Sequence, residues 1–170
     1  SSFAASFSRH SNSQSDLHSP RKILVEDVSL SSKLSASMID YDGPCEHFLA
    51  GEFLHCSDST VYVIIAKATL DKDSRRAEFA YWLRLIHLRV VENEAQVKPR
   101  IVLMASHYDL CPRPETTLEF YQQDCQELIE MFSETLDVKF VPQLIDCRSA
   151  FSVKQAQDMI IETCLSAVAS

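Results

Sequence analysis

Glycine is almost missing from this chain: its 170 residues include two, Gly43 and Gly51. A G-x-x-x-x-G-K-[ST] phosphate loop needs two glycines five positions apart with Lys next, and Gly43 and Gly51 stand eight apart, so none can be written here. Cations are also scarce, with 16 Lys and Arg against 24 Asp and Glu and a net charge of -8. A surface for nucleic acid or anionic membrane needs clustered cations, which argues against both. No apolar run is long enough to span a bilayer. No C-x-x-C pair occurs among Cys45, Cys56, Cys111, Cys125, Cys147 and Cys164. That scatter fits reduced, partly buried thiols and a cytoplasmic location. No secretory leader is recognisable and the first residue is Ser1, so a piece of a larger protein is expected.

A hydrophobic fraction of 46% and a charged fraction of 24% are those of an ordinary globular domain, and the length suits one core. Residues 1–19 carry Ser at positions 1, 2, 6, 8, 11, 13, 15 and 19 with few aliphatics. They read as a flexible loop or insert, because too little apolar surface is on offer to offset the entropy of ordering. Residues 20–170 read as the folded domain.

Lys22 to Leu30 and Lys33 to Asp40 are β-prone segments joined by Ser31-Ser32, which predicts a hairpin. Val61 to Ala66 and Ile101 to Ala105 are unbroken apolar runs, the pattern of parallel strands covered on both faces. Val138 to Ile145 reads as a last strand, with Pro142 marking an edge or a bulge. Three amphipathic patterns alternate with these strands. Phe79, Trp82, Leu83, Ile86 and Val90 mark the first, capped by Asp73 or Ser74. Leu118, Tyr121, Cys125, Leu128 and Phe132 mark the second, entered after Pro114. The third covers about 153–168, with Ser152 and Gln155 as a capping box. The sum is an α/β sandwich with a mostly parallel sheet, whose ligands bind beyond the carboxyl ends of the strands. Asp40, Asp109 and Asp146 all stand at such ends.

Asp40-Tyr41-Asp42-Gly43 has the D-x-x-G form. A carboxylate near a metal and a glycine N–H near a terminal phosphate need that pattern, although a plain strand-to-loop turn also has it. Ser106-His107-Tyr108-Asp109 closes the central apolar strand. A carboxylate there can accept the N1 and N2 donors of guanine, a pair adenine lacks; a local turn with Asp109 as cap is the bland reading. Asp146-Cys147-Arg148 stands where a base-covering loop would follow the last strand. Cys45, His47, His55 and Cys56 are metal-capable, but their spacing matches no common zinc framework and predicts an incidental loop. No catalytic residue is assigned.

In this order the motifs resemble the G domain of the Ras superfamily, and within it the Roc domains of Roco proteins, such as death-associated protein kinases, leucine-rich-repeat kinases and TORNADO-type proteins. Roc domains replace the N-K-x-D base motif with T-H-x-D, close to Ser106-His107-Tyr108-Asp109. Ile23-Leu24-Val25 matches their I-x-V strand, and Trp82-Leu83 their W-L pair. The resemblance covers roughly residues 20–168. It implies a three-layer Ras-like sandwich with one antiparallel hairpin strand, and with the phosphate-loop strand and helix absent from this chain. It assigns Asp40 to magnesium through water, Gly43 to the γ-phosphate, Ser106, His107 and Asp109 to guanine, and Cys147 and Arg148 to the place of the S-A-K loop. GTP or GDP with magnesium is then the implied cofactor of the intact domain. Neighbouring COR-like or kinase domains, or a second copy, are the implied partners. Pro44 replaces the water-positioning Gln of many G proteins, so hydrolysis should be slow or absent. Without a phosphate loop the chain by itself should bind GTP poorly and be marginally stable. A nucleotide-free pseudo-GTPase acting as an interaction scaffold is the alternative, and an unrelated flavodoxin-like or hydrolase domain the third.

Overall fold

The computed structural model describes residues 24–31, 34–40, 60–92 and 97–168. The chain divides into two units, at Phe53 and Leu54, each described by itself. The first contributes a hairpin: β1 (Leu24–Ser31) pairs antiparallel with β2 (Leu34–Asp40), so that Leu24 faces Asp40 and Val28 faces Ala36. The hairpin expected from the β-prone segments is therefore present. Residues 1–23, including the Ser-rich segment, lie outside the described residues.

The second unit alternates strand and helix: β3 (Val61–Lys67), α1 (Lys72–Glu92), β4 (Arg100–Ser106), α2 (Pro114–Phe132), β5 (Asp137–Phe140) and α3 (Ala150–Val168). The strands are parallel in the order β3-β4-β5. Each crossover to the neighbouring strand is a helix, and right-handed crossovers stepping in one direction put α1 and α2 on the same face. Ile101, Leu103 and Ala105 join Phe79, Leu83, Ile86, Tyr121, Cys125 and Leu128 in one core there. Val102 and Met104 alternate to the other side and are also fully buried; α3 packs against β3 and β4. This is a layered α/β arrangement.

β4 is buried from Ile101 to Ser106 because it is the middle strand. β3, also expected to be covered on both faces, ends the sheet: Ile64 and Ala66 are buried, while Ile65 is exposed. The last strand is shorter than expected. β5 stops at Phe140, residues 142–143 bend, and the ladder resumes only as a lone bridge between Ser106 and Ile145. Pro142 has no N–H to give to a ladder, which accounts for the break, and β5 is the edge strand that proline anticipates.

The caps differ from expectation by a few residues. Asp71, not Asp73 or Ser74, caps α1: its Oδ1 accepts from Ser74 N at 2.9 Å and its Oδ2 from Ser74 Oγ at 2.6 Å. Those donors hold the Asp71 carboxyl below the usual carboxylate range. α3 begins at Ala150 with Ser149 as cap, its Oγ accepting from Ser152 N at 3.3 Å. Ser152 instead accepts Asp146 N at 3.0 Å, and Gln155 accepts from Gln143, so the expected Ser152–Gln155 box does not form.

Candidate functional site

β4 delivers Ser106 to the carboxyl edge of the sheet, and the backbone there joins three connections. Ala68 N, after β3, donates to Ser106 O at 2.7 Å. Ile145 N donates to Ala105 O at 2.7 Å, and Tyr108 N donates to Ile145 O at 3.1 Å. The loops after β4 and after β5 are thus tied to each other before any side chain is considered.

His107 turns the chain with φ 63 and ψ 39, the only positive-φ non-glycine residue among the described ones. A residue with a Cβ is disfavoured in this left-handed region and persists there only where its surroundings hold it. The hold is visible: Ser106 Oγ and His107 Nδ1 share a hydrogen bond of 2.8 Å, and Leu110 N donates to His107 O at 3.2 Å. The turn leads into one 3-10 turn, Tyr108–Leu110, which sets Asp109 inward. Ser106 Oγ is also 3.4 Å from Ala66 O, and the residue is buried, so this hydroxyl holds the strand end and does not present a nucleophile.

Asp109 is 12% exposed and meets Arg148, which is 72% exposed, at 3.2 Å between Oδ2 and Nη2. Arg148 also reaches Asp146, with Nε 3.6 Å from Oδ1, and its backbone N donates to the same oxygen at 2.9 Å. Asp146 O accepts from Ser149 N at 3.0 Å, so residues 146–149 form a tight turn running straight into α3. Cys147, a half-buried free thiol, sits within it.

Ser106, His107, Asp109, Cys147 and Arg148, distant in sequence, are therefore gathered at one end of the sheet. Asp40 ends β2 in the hairpin unit, and Gly43 and Pro44 lie outside the described residues, as do Cys45, His47, His55 and Cys56. Among the described residues no group of three or more His, Cys, Asp or Glu could hold a metal. Chemically the gathered set is a carboxylate largely withdrawn from water, an exposed planar cation beside it, and an imidazole set by a left-handed backbone.

Two further features lie elsewhere. A cavity of about 400 Å³ opens at the amino ends of β4 and β5, lined by Val97, Lys98, Arg100, Ile129, Leu136 and Asp137, away from Asp109. Arg75 and Asp124 are buried between α1 and α2. No protein-family model, curated protein or solved structure matches the chain. Among the described residues the fold is α/β, with a three-stranded parallel sheet and three α-helices in layers, and no helix there is long and apolar enough to cross a membrane.

Proposed function

We propose that this chain is a guanine-nucleotide-responsive regulatory module of a larger signalling protein, similar to a Roc domain, with slow or absent hydrolysis. The observation that supports the reading is the convergence of Asp109 with the Asp146–Arg148 turn at the carboxyl end of two adjacent parallel strands. Ligands of open α/β sheets bind at that end. A carboxylate only 12% exposed suits pairing with the two N–H donors on the edge of guanine. Leaving such a group unpaired against adenine would supply the discrimination. Ser106 and His107 shape the strand exit and the 146–148 turn covers the base. In this reading Gly43 and Asp40 serve the γ-phosphate and its magnesium, in a protein that also supplies a phosphate loop. The partners are then a neighbouring COR-like or kinase domain or a second copy, in the cytoplasm.

The test is calorimetry of the longer protein with GTP, GDP and xanthosine triphosphate, with and without magnesium. Asp109→Asn should move preference from guanine to xanthine, because the carboxamide offers a donor to the xanthine 2-oxygen. Unchanged preference would remove Asp109 from base reading. A second reading, a nucleotide-free scaffold, is favoured by the engagement of Asp109 by Arg148 and by Pro44. It predicts no heat with any nucleotide.

A further inference from the structure

Asp109 and Arg148 are unequal partners. The carboxylate is 12% exposed and held by a short turn, whereas the guanidinium is 72% exposed at the end of a flexible arm. Of the two, the long and exposed Arg148 side chain has the more rotamers open to it. The arm also has a second station, since its Nε already lies 3.6 Å from Asp146 Oδ1.

The atom that Arg148 takes is the one a base would need. Guanine presents its N1–H and N2–H as two parallel donors on one planar edge, joined through a single carbon, which is the same fork that a guanidinium offers a carboxylate. Resting on the guanine reading above, we propose that Arg148 is an internal competitor for the base: its Nη2 occupies Oδ2 of Asp109, and it must withdraw toward Asp146, already 3.6 Å from its Nε, before a base can pair with Asp109. Adenine, which lacks the fork, cannot displace it. The latch would thus keep a carboxylate of low exposure paired in the empty protein and give specificity for guanine at the cost of affinity.

The experiment is a heteronuclear NMR titration of the isotopically labelled full chain with guanosine, using adenosine as control. Guanosine is uncharged, so salt acts on the latch and not on phosphate attraction. Wild type, Arg148→Gln, Arg148→Lys and Asp109→Asn are compared through the amides of residues 106–110 and 146–149. Arg148 is exposed, so its substitutions leave the core intact. Arg148→Gln should bind guanosine roughly two- to five-fold more tightly, the strength of a partly exposed ion pair. Arg148→Lys, which keeps the charge and loses the fork, should fall between. Raising ionic strength should tighten the wild type toward the Arg148→Gln value and leave that variant unmoved. Asp109→Asn should not bind guanosine. If wild type binds guanosine and Arg148→Gln binds equally or more weakly, the latch is overturned while the base site survives. If no protein responds at residues 106–110, the latch is overturned, while the guanine reading, which expects weak binding by this chain without a phosphate loop, is decided by the calorimetry of the longer protein.

Discussion

Arg75 and Asp124 face each other across the seam of α1 and α2, 2% and 1% exposed, with Nη2 3.9 Å from Oδ2. Arg75 Nη1 donates to Leu70 O at 3.2 Å, but Arg75 Nε and Nη2 and Asp124 Oδ2 have no hydrogen-bond partner. Arg76 adds a second cation, 3.2 Å from Asp124 Oδ1, and pairs outward with Glu127. A buried pair repays its desolvation only when its geometry is good, and this one is loose. Asp124→Asn should therefore destabilise by about 3–5 kcal/mol, because it strands a buried guanidinium. Arg75→Met with Asp124→Leu should restore wild-type stability or exceed it. Equilibrium denaturation of the two variants beside wild type decides, and a double variant as unstable as the single one would show that the pair contributes net stability.

Tyr121 ties α2 to the sheet through one hydroxyl, 2.8 Å from Val141 O and 3.2 Å from Leu103 O. Burial pushes its phenol well above the usual range, so it remains a donor at every ordinary pH. Tyr121→Phe should cost about 1–2 kcal/mol in chemical denaturation, since a buried carbonyl loses its donor. Amide exchange should rise at residues 141–145 more than in α1.

Cys125 sets an alkaline limit. Burial pushes its thiol up to about 12 from an ordinary value of 9.0. The folded state thus holds a proton that the unfolded chain releases first. Stability from this group is complete below about pH 9 and erodes as pH rises toward 12, by up to about 1.4 kcal/mol per pH unit. Cys125→Ala should flatten the fall in stability between pH 9 and pH 10, whatever its effect at pH 7. An unaltered slope would assign the alkaline loss to other groups.

His107 holds a backbone conformation whose cost can be measured. Its left-handed backbone costs about 1–2 kcal/mol for a residue with a Cβ. Glycine escapes that cost but loses about 0.5–1 kcal/mol through the freedom it gives the unfolded chain. His107→Gly should accordingly be neutral or stabilising by up to about 1 kcal/mol in thermal unfolding. A clear loss of stability would mean that the bond to Ser106 Oγ outweighs the strain.

The succession of strands and helices was readable because unbroken runs such as Ile101 to Ala105 and stripes such as Phe79, Leu83, Ile86 and Val90 carry strong periodicity. Caps were less legible. Asp71, Asp73 and Ser74 all favour a helix start, and the backbone, not the residue type, selects Asp71. The buried charges were overlooked although a signal existed: Arg75 lies one turn before Phe79 on the buried stripe, and Asp124 adjoins Cys125 on the facing one. Opposite charges in the apolar phase of neighbouring helices predict such a pair. Of the site, the strand ends placed Asp109 and Asp146 correctly at sheet exits, β4 and the bridge at Ile145. Sequence spacing has no means of revealing that Arg148 would reach across to Asp109, because that depends on which strand ends the sheet sets side by side.

The hydroxyl of Ser152 reaches back from the first turn of α3 to the amide of Asp146, and Asp146 in turn holds the amides of Arg148 and Ser149. Rim and rod are one mechanical piece. A displacement of residues 146–148 either carries the end of α3 along or frays it, so an event at the rim has a lever 19 residues long through which to be felt at the far side of the domain.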